Sequence, residues 1–121
     1  MYIESLVTAL EHMLGLKRPV TIKRAKYIRR NSDGWFATNN HNASLERAYG
    51  YWWLDSNLNH EIVLAEEFLD QEGILVSVIA HEYVHAWQWE TFENGRRLHH
   101  GKRDYFVQWG EYIKQELGIV I

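Results

Sequence analysis

The 121-residue chain is 46% hydrophobic and 24% charged with a single proline, the profile of an ordinary folded protein, and one domain spanning residues 1–121 is expected. It contains no cysteine, which excludes disulfides, thiol nucleophiles, iron–sulfur centres and Cys-based zinc knuckles, so any metal must be held by His, Asp or Glu. The formal net charge of -3 hides a polarity: residues 17–30, "KRPVTIKRAKYIRR", hold seven of the thirteen Lys and Arg and no acid.

The first predicted element is an amphipathic helix, with Ile3, Leu6, Val7, Leu10 and Leu14 at helical spacing and Gly15 closing it. Glu4, Glu11 and His12 interrupt the apolar pattern, unlike a signal peptide, and no run reaches membrane-spanning length, so a cytoplasmic monomer with no membrane contact is expected. Pro19 then introduces the extended run "VTIKRAKYIR". Its basic block, Lys17, Arg18, Lys23, Arg24, Lys26, Arg29 and Arg30, has the sign pattern for DNA phosphates, and equally that of an edge strand protected from aggregation by its own charge.

"NSDG" signals a turn, and "WFATNN" beyond it suits a hairpin partner. "RAYGYWWLD" and "HEIVLAEEF" read as strands separated by the turn "SNLN". Asp70 can cap a helix whose apolar residues Ile74, Leu75, Val78 and Ile79 carry the helical period on to about Glu90. A polar segment, "TFENGRRLHHG", breaks the pattern before a last helix with Phe106, Trp109, Ile113 and Leu117, which Gly118 stops. The expected architecture is α+β: an N-terminal helix, a small, mostly antiparallel sheet of three or four strands, then two helices.

The long helix contains "HEYVH", residues 81–85. His81 and His85, four apart, project from one helix face a turn apart and can grip one ion. Glu82 points about a sixth of a turn from His85, which suits a carboxylate that contacts the water a metal polarises without ligating the metal itself. Zinc would lower the pKa of that water to about 7, and the glutamate would take its proton during attack on a carbonyl. Burying these groups among aliphatic neighbours without a partner would cost on the order of several kcal/mol, which argues against a purely structural helix.

A catalytic zinc needs a third protein ligand. The compact H-E-x-x-H-x-x-G-x-x-H arrangement fails, because Gln88 and Thr91 stand where its glycine and last histidine would be. "LHHG" offers His100, preferred because His-Gly at a helix start is a recurrent form, with His99 close behind. Glu111, Asp104 and Glu93 are the carboxylate alternatives. His12, His41 and His60 are expected to face solvent.

The segment "IVLAEEFLDQEGILVSVIAHEYVHAWQW", followed by "HHGKRDYFVQW", resembles the SprT-like (Spartan-type) zinc metallopeptidase domain, a zincin-like fold, over roughly residues 60–110. The resemblance implies zinc held by His81, His85 and His100, with Glu82 as catalytic acid/base, and proteolysis of proteins on DNA, including DNA–protein crosslinks. Two features depart from the pattern: His100 and Phe106 are further apart than usual, and the four-Cys zinc ribbon often appended is missing, as in a minimal form. The basic block, with Arg96, Arg97, Lys102 and Arg103, is compatible with a DNA-held substrate, and the strand bearing Tyr51, Trp52 and Trp53 with pairing to extended peptide. The competing readings are an H-E-x-x-H peptidase with a carboxylate third ligand that cleaves a regulatory protein, and a catalytically inactive zinc-binding interaction module.

Overall fold

The computed structural model describes residues 3–30, 36–38, 46–92 and 98–121. In chain order they form α1 (Ile3–Leu14), β1 (Val20–Ala25), β2 (Ile28–Arg30), β3 (Phe36–Thr38), β4 (Glu46–Arg47), β5 (Gly50–Leu54), β6 (His60–Ala65), a 3-10 turn at Glu66–Phe68, α2 (Glu72–Phe92) and α3 (Phe106–Leu117). The α+β class and the mostly antiparallel pairing are those expected. Among the described residues there are six short strands where three or four were expected, and they divide between two sheets.

In α1 the four-residue repeat of Leu6, Leu10 and Leu14 puts all three side chains on one buried stripe. Both predicted helix stops take the left-handed conformation that glycine adopts at no steric cost: Gly15 (φ +60°) gives its N–H to Glu11 O at 3.0 Å, and Gly118 (φ +70°) to Lys114 O at 2.9 Å. Helix α2 begins just after Gln71, whose carbonyl accepts the N–H groups of Ile74 and Leu75, so the start falls one residue beyond the Asp70 cap expected.

The larger sheet has the order β1-β6-β5. Strand β5 reaches β6 through a turn in which Asp55 Oδ1 accepts the N–H groups of Asn57 (2.8 Å) and Asn59 (3.0 Å), and the two strands pair antiparallel. Strand β1 runs parallel to β6, from Val20 opposite His60 to Ala25 opposite Ala65. The central strand is buried at all six positions, as a strand covered on both faces must be. Helix α2 packs on β5 and β6 and also meets α1 and α3, which explains why its apolar residues do not keep to one stripe. Close approach of β5 to α2 depends on Gly50, where a Cβ would stand 2.7 Å from Val63 O and 2.9 Å from Val78 Cγ1.

The smaller sheet has the order β3-β2-β4. Its β2–β3 pair is the predicted hairpin, with Arg30 opposite Phe36; the "NSDG" turn itself lies outside the described residues, as do His41, Glu93, Arg96 and Arg97. Among the described residues no helix is long and apolar enough to cross a membrane.

The basic block does not act as one surface. Lys17, Arg18, Lys23, Arg24, Lys26 and Arg30 are exposed, with Lys23 and Arg24 on an outer strand, where charge discourages edge pairing. Arg29 departs from the expected DNA-facing set. It is 6% exposed and grips Glu67 with both terminal nitrogens, at 2.6 and 3.4 Å, so its charge is spent inside the fold. Removing one member of so buried a pair strands the other charge. Arg29→Met should therefore cost about 3 kcal/mol in urea unfolding, and Arg29→Met combined with Glu67→Leu clearly less than the two single losses added together. Truncation of exposed Arg24 should stay within about 0.5 kcal/mol.

Candidate metal centre

His81 and His85 stand one turn apart on α2, and the segment ahead of α3 brings in His100. Their Nε2 atoms form a triangle with sides of 3.0 Å (His81–His85), 3.0 Å (His85–His100) and 3.2 Å (His81–His100). Nitrogens bound tetrahedrally to zinc at about 2.0–2.1 Å would lie about 3.3 Å apart, so the triangle matches the face of such a site within a few tenths of an ångström. A ring N–H points along one line only, and three such atoms cannot satisfy one another by linear hydrogen bonds. The donor set thus fits a metal ion. His85 is buried, His81 partly buried and His100 exposed, leaving the centre open on one side.

The protonation states suit a cation. Burial first, then repulsion from His85 and His100, lowers the His81 imidazole to about 4. Burial and His100 also lower His85 to about 4, against the opposing effect of the hydrogen bond that its ring donates to Gln88. Both rings are therefore neutral near pH 7, with lone pairs available.

Gln88 fixes which nitrogen carries that lone pair. His85 Nδ1–H donates to Gln88 Oε1 at 2.8 Å, leaving Nε2 bare toward the centre. The Gln88 amide then donates to the carbonyls of His99 (2.8 Å) and Asp104 (3.2 Å), which bracket His100 in sequence. One buried amide thus orients one ring and anchors the segment that delivers another. The sequence reading noted Gln88 only as a missing glycine; its place three residues after His85, on the same helix face, was the available signal.

The other third-position candidates are elsewhere. His99 turns its Nε2 toward Asp104 Oδ2 at 3.7 Å, and neither His99, Asp104 nor Glu111 joins the cluster. Phe106 reaches all three rings, with centroids 4.8 Å from His81, 5.2 Å from His85 and 5.0 Å from His100. The long His100–Phe106 spacing is absorbed by a turn in which Tyr105 takes the left-handed conformation (φ +65°) and gives its N–H to Lys102 O.

Glu82 lies beside the triangle, where burial pushes its carboxyl up to about 8 against the opposing hydrogen bond from the Trp52 backbone N–H. Trp52 is itself held in place. Its indole N–H donates to His60 Nδ1 at 3.0 Å, and His60 Nε2–H donates to Glu90 at 2.5 Å. His60 was expected in solvent and is fully buried instead, because a ring with both nitrogens satisfied loses little on leaving water. His12 is exposed as expected.

A hollow of about 600 Å³ lies among Met13, Trp87, Trp109 and Tyr112, with none of the histidines in its lining. His81 and Glu82 border two smaller ones, of about 390 and 320 Å³; the second also reaches His85, His100, Tyr51 and Trp52.

The profile of the SprT-like family matches residues 23–120, most of the chain. The chain belongs to the SprT-like family. A comparison with curated proteins returned no match. SprT-like membership and the three-histidine cluster together describe a zinc-metallopeptidase-like domain.

Gln88→Leu, which keeps bulk and removes both roles, should weaken zinc binding by about 10–100-fold in competition with a chelating dye. Glu90 supplies a pH test. Burial raises its carboxyl, but the N–H groups of Lys17 and Arg18 and the His60 ring outweigh this and hold it below its ordinary value. A carboxyl lowered in the folded state contributes stability above its unfolded pKa and loses it as pH falls through the folded value. Glu90→Gln should accordingly be less stable than wild type near pH 7, with the gap closing as unfolding is followed down to about pH 3.

Proposed function

We propose that this SprT-like chain is a zinc-dependent peptidase in which His81, His85 and His100 hold the metal and Glu82 is the general acid/base. The observation that carries the reading is the convergence of three Nε2 atoms at 3.0–3.2 Å beside the half-buried Glu82 carboxyl of α2. A zinc ion in such a site supplies Lewis acidity toward a carbonyl and a water of lowered pKa.

This chain's own groups do the rest. With zinc held by the three rings, the Glu82 carboxyl would ionise more readily than burial alone allows. Glu82 then accepts a proton from the attacking water and returns it to the departing amide nitrogen. The Trp52 N–H holds the carboxylate oriented between those two transfers. Strand β5 is the outer strand of its sheet and lines the cleft with Gly50, Tyr51 and Trp52, a place where extended peptide can add as a further strand.

Peptide bonds in proteins bound or crosslinked to DNA are the substrates that the family suggests. Exposed Lys23, Arg24 and Lys26, on and just after β1, support this finer reading. A water-activating carboxylate beside the histidines has no use in an inactive zinc module, and no carboxylate among the described residues stands in the third ligand's place.

Elemental analysis of proteins purified without added chelator tests the site. One zinc per chain is expected in wild type and in His99→Ala, and none in His81→Ala, His85→Ala or His100→Ala. Glu82→Gln should keep zinc and fold while losing about 10²–10⁴-fold in hydrolysis of a protein substrate. A folded wild type that takes up no zinc, or a fully active Glu82→Gln, would sink the reading.

A further inference from the structure

The two hollows at His81 and Glu82 differ in chemistry. The larger is walled by Ile74, Val78 and Ile121 and has no cation in its lining. The smaller has one permanently charged side chain among the described residues of its lining, Arg30, beside Phe36, Tyr51 and Leu98. Gly50, His81 and Glu82 border both, so a chain crossing the acid/base and the histidines would leave one side chain in each hollow.

Arg30 is held at the cleft wall by its strand neighbours. It pairs across the smaller sheet with Phe36 on one side and Glu46 on the other. The Phe36 ring stacks on Tyr51 of β5, with centroids 4.7 Å apart and planes 7° from parallel, which ties the small sheet to the cleft. Other arginines nearby are engaged: Arg29 and Arg47 on Glu67, Arg18 on the Asn57 carbonyl. The Arg30 side chain makes no hydrogen bond or ion pair with any of the described residues, Glu46 included. A cross-strand charge pair in solvent would in any case be worth only tenths of a kcal/mol, too little to hold Arg30 away from a ligand.

We infer that Arg30 is a specificity residue, giving the cleft a preference for peptides with Asp or Glu on one side of the scissile bond and an apolar side chain on the other. A guanidinium whose five donors meet no acceptor among the described residues matches a carboxylate in a two-point contact that a lysine or glutamine side chain cannot make. The apolar partner seats against Ile74, Val78 and Ile121, where a charge would lose its water without a counter-ion. This inference rests on the peptidase reading above and adds the substrate class.

The test uses quenched fluorescent peptides with Glu, Gln or Lys at each position flanking the scissile bond and Leu on the opposite side. They are assayed with zinc-loaded wild type, Arg30→Gln and Arg30→Glu. The same peptides are titrated by calorimetry into zinc-loaded Glu82→Gln protein, with and without the Arg30 substitutions. At one position wild type should favour Glu over Lys by at least about tenfold in kcat/KM, a ratio that shrinks with added salt. Arg30→Gln should flatten that preference and Arg30→Glu reverse it, and the affinities should follow the same order. An unchanged charge ranking in Arg30→Glu, in cleavage or in binding, overturns the inference. If no peptide is cleaved while the Arg30-dependent ranking persists in binding, the peptidase reading fails and the assignment of Arg30 stands. Binding indifferent to peptide charge overturns the assignment whatever the activity.

Discussion

The carboxylate of Glu90 gathers donors from two distant parts of the chain. The backbone N–H groups of Lys17 (2.6 Å) and Arg18 (3.1 Å) reach it from the approach to β1, and His60 Nε2–H reaches it from the first residue of β6. Because β1 and β6 are parallel and in register from Val20–His60 onward, this one acceptor near the end of α2 sets where both strands begin relative to the helix. The tie continues through His60 and the Trp52 indole into β5, and from the Trp52 backbone to Glu82. The glutamate beside the histidines is thus oriented by a chain of contacts that ends eight residues further along its own helix.

Helix α2 has to meet two opposed demands. It is the element on which α1, α3 and the sheet pack, so most of its surface must leave water, yet it carries His81, Glu82, His85, Gln88 and Glu90. Most of these polar groups are tolerable because another group supplies what water would have supplied: β5 for Glu82, Gln88 of the same helix for His85, the approach to α3 for Gln88, the strand starts for Glu90. The polar groups therefore specify the packing as well as the chemistry. A helix rotated or shifted by one residue would strand several of them at once, at a cost comparable to the whole stability of a domain this size.

Local chemistry was legible in the sequence. The H-E-x-x-H spacing, the glycine stops and the hairpin of β2 and β3 follow from one segment's periodicity or turn residues, and each is found where the described residues allow comparison. What escaped reading has in common that its cause lies far along the chain. His60 reads as a surface histidine until Trp52 and Glu90 are seen on either side of it. Arg29 and Arg30 are adjacent and identical, and only the alternation of a strand, with Glu67 waiting on one face, sends one inward and leaves the other at the cleft. Gln88 looked like a broken motif because its partners are backbone carbonyls that no sequence pattern announces.

The same desolvation acts in opposite directions on the two kinds of group at the centre, lowering the imidazoles of His81 and His85 and raising the carboxyl of Glu82. Each group is thereby biased toward its neutral form, and the site carries little charge of its own. A divalent cation entering there meets lone pairs that need not first release a proton, so binding is less penalised by pH than at a set of solvated histidines. With a cation held by the three histidines, the Glu82 carboxylate, disfavoured by its low-dielectric surroundings, would gain a neighbouring charge that favours it. On the proposed reading, Glu82 would in this way be poised to accept a proton chiefly when the three histidines hold a cation, and electrostatics alone would couple the proposed base to the metal.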